Sequence, residues 1–288
     1  MAQFLLLCLV SRFFYTLNDL FTGRLARQHD RIELAALRGV SLGVTMSPLL
    51  LWVPRSAWSN LTAELWSLGA IVALTALANV LQLQAARYLP FGLRASIILT
   101  GTAVGTVLLG YSVLGEGLSG ATAAWCAMVV LGAVVAAPGE HASHEIEPRL
   151  LPGILLSLVS AGLMAVVALL TKGLTERTHA LLTAWAWELG SGLILVPLVL
   201  LRRRPTGAMP RHFARVALAS SPTVIGSSAS MLALGSGRLG LWGALAGTQV
   251  LFTGVLGVLW HREIMGLRRW ACFVAASIGI AGLALSRG

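Results

Sequence analysis

Asp19, Arg38 and Glu188 are charged residues set inside predominantly apolar runs. A charge in such a run is costly, so it faces protein or water and marks either a functional site or a buried clamp. Asp19, the only carboxylate of the first run, follows Asn18 about one helical turn from the run's end. Arg38 lies about one turn inside the start of the next run. If the two runs are adjacent antiparallel helices, the spacing allows an ion pair, which reads as a gate or as a clamp. At an offset of 149 the second half has Ala168 and Trp187 in their places, so this polar pair is not duplicated. Glu188, in Ala184-Trp-Ala-Trp-Glu-Leu-Gly190, is about 12 Å by helix rise from the near end of its run. A carboxylate there could exchange a proton, or brace neighbouring helices through hydrogen bonds.

Weaker polar signals accompany these three. Asn79 and Gln82 are three apart and share a helix face, and Gln249 stands in the middle of a later run. Trp185 and Trp242 could wall a cavity. Polar groups in such runs either join helix to helix or line a cavity; singly they read as joints, and together as a lining. Ser227, Ser228 and Ser230 carry less, because serine can satisfy its own helix backbone. Gly101-Thr-Ala-Val-Gly105 and Gly243-Ala-Leu-Ala-Gly247 are small-xxx-small patterns that let backbones approach, and they suggest that the two runs holding them cross. Glu116 and Glu263 each precede an apolar run, where a carboxylate favours a helix N-terminus, so both read as structural.

The elements that must position these residues are membrane spans. Hydrophobic residues make up 57% of the 288, charged residues 11%, and mean hydropathy is +0.82. A soluble domain carries roughly a quarter charged residues, so this is the composition of a polytopic membrane protein. Runs of roughly 20 apolar residues cross a bilayer. Ten emerge, near 4–22, 34–53, 65–86, 93–114, 122–137, 151–170, 180–201, 216–235, 241–260 and 269–285. The first is read as a retained span, since it lacks a basic leader and a clean cleavage site. The net charge of +10 lies between runs with no aromatic interleaving, which argues for basic loops and against nucleic acid.

The chain is also a tandem duplication. Glu116 and Glu263 are 147 residues apart, as are Gly132 and Gly279. Leu9-Val-Ser11 recurs as Leu158-Val-Ser160, and Pro48 as Pro197, at an offset of 149. The expected organisation is a first five-helix repeat over 1–137, a polar linker over 138–150 and a second five-helix repeat over 151–288. Five spans are an odd number, so the second repeat must enter the membrane from the opposite side, giving inverted repeats. Fifteen arginines lie at one face, in or beside the odd-numbered loops, against five basic residues on the other. The positive-inside rule then puts the odd loops in the cytoplasm and both termini outside.

These features resemble the drug/metabolite transporter superfamily in its ten-helix EamA-type branch. The resemblance covers nearly the whole chain. It rests most on Ala86-Arg-Tyr-Leu-Pro90, a Gly/Thr-rich span, Leu114-Gly-Glu116 and a closing span ending in Pro138-Gly139. Leu17-Asn-Asp19, Leu37-Arg-Gly39 and the stretch from Gly257 through Glu263 to Gly282 add to it. The chain departs from the pattern at Gly23-Arg24 and at Trp260-His261-Arg262-Glu263. The resemblance implies an all-α basket of helices around a central cavity, moving small metabolites or amphipathic compounds, often outward.

Other classes fit less well. No HExxH or Gly-x-Gly-Asp pattern is present, and the six histidines stand in loops or at run ends, so an enzyme is not expected. Cys8, Cys126 and Cys272 lie inside runs without zinc spacing, and no nucleotide-binding motif occurs, so no metal and no cofactor are expected. A passive channel would need a filter sequence or a ring of charge, and neither is seen. The expectation is a secondary transporter in the cytoplasmic (inner) membrane, working by efflux or exchange, with a lipid-carrier flippase on the same scaffold as the alternative. Its partners are the bilayer, a small-molecule substrate that is amino-acid-like or amphipathic, and protons as a candidate coupling ion. A monomer would suffice, and a dimer is left open.

Overall fold

The computed structural model describes residues 1–26, 30–85, 88–89, 91–117, 119–136, 150–202, 209–261 and 267–285, and every regular element among them is helical. The expected linker over 138–150, apart from Leu150, lies outside the described residues, as do Glu263 and many of the loop arginines. The first half holds α1 (Ala2–Ala26), α2 (Arg31–Met46), a 3-10 turn (Ser47–Trp52), α3 (Arg55–Ala63), α4 (Leu65–Ala85), α5 (Phe91–Ser112) and α6 (Gly120–Ala136). The second holds α7 (Leu150–Arg177), α8 (Ala180–Leu193), α9 (Val196–Leu201), α10 (Met209–Ser236), α11 (Leu239–Ala246), α12 (Thr248–His261) and α13 (Leu267–Leu285).

Six stretches are long and apolar enough to cross a membrane: Ala2–Thr22, Ile32–Trp52, Leu65–Gln82, Leu151–Arg177, Ala180–Leu201 and His212–Ser236. Ile97–Ser112, Gly120–Gly132 and Leu239–Phe252 are apolar but shorter, so ten full spans are not reached among the described residues. Large apolar side chains such as Leu51, Trp66, Leu131, Leu201 and Leu218 stand exposed on the surface. Such a surface suits lipid and not water.

The helices break where the sequence dictates. Proline removes a backbone donor and clashes with the preceding turn. Accordingly α2 gives way to the 3-10 turn at Pro48, and α8 breaks at Ile194-Leu195 just before Pro197. The two prolines are equivalent positions of the duplication, so the halves break alike. At its other end α2 starts on Asp30, whose Oδ1 accepts from the Ile32 and Glu33 amides at 3.0 and 3.2 Å.

The halves pack with exchanged contacts. α1 packs on α10, and its counterpart α7 packs on α4; α2 meets α8, α5 meets α11, and α6 meets α13. A pattern in which each contact is returned by its equivalents is that of a two-fold relation. The tightest crossing is α2 on α8. A Cβ added at Gly39 would lie 2.5 Å from the Gly192 backbone and 2.8 Å from the Glu188 carbonyl oxygen. Only glycine allows backbones this close. Gly39 and Glu188 are themselves 149 apart, as are Gly43 and Gly192. The pseudo-axis therefore passes through this crossing.

The even-numbered connections share one rim. Arg177 Nε pairs with Glu64 Oε1 at 2.7 Å, and Asn60 donates to the Arg177 carbonyl at 3.1 Å. Lys172 Nζ reaches the Gly237 carbonyl at 2.7 Å, and Arg238 Nη1 donates to the Gly117 carbonyl at 3.0 Å. These contacts join the ends of α4, α5, α7 and α10.

Glycine positions separate tight crossings from open ones. A Cβ at Gly243 would collide with Thr106 Oγ1, whereas a Cβ at Gly69 meets nothing within 4 Å. Gly243→Ala should destabilise the detergent-purified protein by about 1–3 kcal/mol, and Thr106→Ala should recover part of that loss. Gly69→Ala should be neutral or slightly stabilising. Thermal unfolding of Gly243→Ala, the Gly243→Ala/Thr106→Ala double variant and Gly69→Ala checks this, and an equal response at both glycines would refute the packing.

Candidate functional site

The polar residues of the spans converge between the halves. Asp19 on α1 accepts from Gln249 Nε2 of α12 at 2.9 Å and from Asn18 Nδ2 at 3.2 Å. Asn18 and Gln249 are buried, while Asp19 itself is exposed. Two amides therefore fix its carboxylate. Arg38 of α2 and Arg94 of α5 both act on it electrostatically. Arg94 is held in turn by the Gln82 carbonyl of α4 at 2.9 Å.

The direct Asp19–Arg38 ion pair expected from the sequence does not form. Helices α1 and α2 barely touch, because α10 packs against both. Arg38 acts from a distance, and its Nε is buried without a hydrogen bond. Chain neighbours are thus not spatial neighbours here, and an amide from the far half fills the position.

A second group lies along the same helices. Glu188 of α8 is 5% exposed, and its Oε1 accepts from Ser227 Oγ of α10 at 3.1 Å. Ser227 also faces the Tyr15 phenol of α1, on which Glu188, Arg12 and Arg38 all act. The Arg12 guanidinium stacks on the Trp242 ring of α11, 4.6 Å from its centroid, and lies 5.8 Å from that of Tyr15. Positions 12, 15, 16 and 19 form one stripe of α1, three and four residues apart. Thr16, in that stripe, donates to the Arg12 carbonyl at 2.8 Å and approaches the Gln249 carbonyl at 3.4 Å. Gly226 of α10 lets the two helices close, since a Cβ there would be 3.3 Å from the Ser11 carbonyl.

The remaining candidates are spread more widely. Asn79 and Gln82 are half-buried on α4, and neither side chain joins Asp19 or Glu188 by a described hydrogen bond. Trp185 donates its indole N–H to the Gly43 carbonyl at 2.9 Å and meets Trp58 edge-on, ring centroids 5.8 Å apart. That anchors it to α2 and α3, against the α2–α8 crossing. Trp242 belongs to the charged group through Arg12. Gly101 and Gly105 face Ala161 and Ala165 of α7, so the meeting of α5 with α11 is served by Gly243, beside Gly110 and Gly240. Gly247 marks the break between α11 and α12.

Arg12 and Tyr15 were not legible as site residues from the loops-and-spans reading. An arginine near the middle of an apolar run is nonetheless a signal in its own right.

The EamA-like transporter family model matches the chain twice, over residues 3–137 and 151–285. The chain belongs to the EamA-like transporter family. It is thus a multi-pass membrane transporter of the drug/metabolite transporter superfamily. Among solved structures, one described only as "Crystal structure of protein" is similar over 99% of this chain and 97% of its own, with a TM-score of 0.76 at 17% identity. That likeness shows a shared fold. No curated protein matches the chain.

In this EamA-like chain Glu116 ties the halves together. Gly115 has φ +63°, which turns the chain after α5 and aims the next side chain back at the bundle. Glu116 Oε1 accepts from the Leu239 amide at 2.6 Å and Oε2 from the Gly240 amide at 2.9 Å. The carboxylate therefore caps α11 of the other half, and not α6, the helix that follows it in sequence. Helix α11 is buried throughout and carries Trp242. Glu116→Ala should cost about 0.5–2 kcal/mol, with Glu116→Gln between it and the parent. Denaturation midpoints in detergent read this directly; three equal midpoints would mean that the cap contributes nothing.

Proposed function

We propose that the chain is a secondary transporter that carries a small metabolite, amino-acid-like or amphipathic, across the cytoplasmic membrane. It exports or exchanges that substrate by alternating access between its two halves. The observation that carries the reading is the joining of α1 and α12 through Asp19 and Gln249, and of α8 and α10 through Glu188 and Ser227. A buried polar group in a membrane bundle is costly unless it serves a path or a site. Here the polar groups come from both halves and meet beside the pseudo-axis, where a substrate site shared by two repeats belongs.

The halves are read as inverted repeats, and the arginine bias places both termini outside. Helices α1 with α10, and α4 with α7, are the packed pairs that would move as bodies, with the glycine crossing of α2 on α8 as the fixed point between them. The exposed Asp19 and the buried Glu188 are the groups that could exchange a proton with the carried compound or with water. A single chain contains both halves and therefore suffices.

Counterflow in proteoliposomes tests this, using labelled amino acids, nucleosides, vitamins and cationic dyes. One class should show saturable uptake. Glu188→Gln and Gln249→Leu should lower its rate about tenfold or more, the loss expected from a hydrogen bond to a charged group. If coupling is to protons, an imposed pH gradient should drive accumulation in the parent but not in the carboxamide variant of the coupling residue. Folded protein that moves none of the panel would overturn the reading.

A further inference from the structure

Arg12 stands apart from the other charges of the bundle. It is 6% exposed, and its Nε and Nη2 are buried without a hydrogen-bond partner. The groups that act on it are Tyr15 and Cys8, and no carboxylate is among them. Asp19 lies on the same stripe of α1 but two turns away, about 10 Å by helix rise, and is held by Asn18 and Gln249. Glu188 is engaged by Ser227. The guanidinium is thus oriented by its stack on Trp242 while part of its donor fork is unsatisfied. A buried charge whose donors lack a protein partner is unfavourable, so an acceptor that completes the fork would be favoured there.

The duplication adds an independent argument. The equivalent residue in the second half is Ala161, which packs against Gly101. The scaffold therefore does not need an arginine there. A planar guanidinium fork matches a carboxylate with two parallel hydrogen bonds, and the neighbouring ring faces offer an apolar wall.

We propose that Arg12 is the anion-binding residue of the substrate site, and that the substrate is a small organic carboxylate whose apolar or aromatic body lies against Trp242 and Tyr15. The proposal rests on the transporter reading and narrows it to one charge class. The carboxylate would complete the Arg12 fork. The far end of the compound would then point along the α1 stripe toward Asp19, which suits an uncharged or basic group there.

Ligand-induced thermal stabilisation of the purified protein in non-ionic detergent tests the assignment without requiring transport. The probes are matched pairs: phenylacetate against phenylacetamide, and indole-3-acetate against indole-3-acetamide. The parent should bind each acid about tenfold to a hundredfold more tightly than its amide, the range set by a hydrogen bond to a charged group. Arg12→Gln should bring that ratio to about one, and Arg12→Lys should leave a reduced preference. Arg12→Met serves if the glutamine variant does not fold. Equal binding of acid and amide by the parent, no binding of any acid, or an unchanged ratio in the variants would each overturn the assignment. So would stabilisation by chloride alone, or by an added anionic phospholipid alone, because the charge would then be met by a bare ion or a headgroup. A chain that binds acids in detergent but carries nothing in vesicles fails the transport reading only. One that carries a substrate with no preference for the acid fails the anion assignment only.

Discussion

The close backbone approach of α2 and α8 is the constraint on which the rest depends. Gly39 and Gly192 allow it, and a side chain at either would strike backbone within 2.5 Å. Lipid supplies little hydrophobic drive between helices, so association rests on such contacts and on interhelical hydrogen bonds. Trp185 adds one of those bonds by donating to the Gly43 carbonyl from across the crossing. Once the two helices are pinned there, their neighbours follow in matched pairs: α10 wraps the α2 side and α4 the α8 side. Helix α10 is thereby inserted between α1 and α2, which decides which polar groups can meet.

Duplication supplied a symmetric scaffold, and the charges are not symmetric on it. Asp19 corresponds to Ala168, Arg38 to Trp187, Arg12 to Ala161, and Glu188 to Gly39. Where one repeat carries charge, the other carries packing. Trp187 donates to Thr75 Oγ1 at 2.9 Å, and Gly39 makes the central crossing. Each buried charge thus has a packing surface as its counterpart, so one site results from two repeats. The caps follow the same division of labour. Glu116 satisfies the first amides of α11 across the boundary between halves, using a loop of one repeat to fix a buried helix of the other.

Much of this was readable from residue types and spacing. The duplication and the helical class follow from local rules that need no partner, whereas the runs over 34–53 and 180–201 were read straight through Pro48 and Pro197, where the helices break. Polar residues inside the spans were also visible, including Asp19, Glu188 and Gln249. Their pairing was not, because Asp19 and Gln249 are separated by 230 residues and nothing local encodes the contact. The expected Asp19–Arg38 pair used the only neighbour relation a sequence offers, that of consecutive helices, and α10 breaks it. Gly101 and Gly105 likewise looked matched to Gly243 and Gly247, yet they serve α7. Arg12 lay in plain view, but counting arginines by loop assigns no meaning to one inside a span.

How the charges are satisfied bears on how such a bundle can move. Asp19 and Glu188 are held by neutral donors, an amide and a hydroxyl, and the ion pairs Lys172–Glu176 and Arg177–Glu64 stand at the rim. A buried ion pair is strongly unfavourable to break, since each separated charge is left unsolvated, whereas a carboxylate that loses one neutral donor can take another or take water. Alternating access requires two arrangements that differ by only a few kcal/mol. Under the proposed transport cycle, neutral donors shared between helices of different packed pairs would keep the inner contacts within that range. The rim pairs, in high dielectric, contribute little to the balance. On the proposed assignment, an anion that completes the Arg12 fork would give the ligand what it needs to shift that balance, a contact that only the occupied bundle could make.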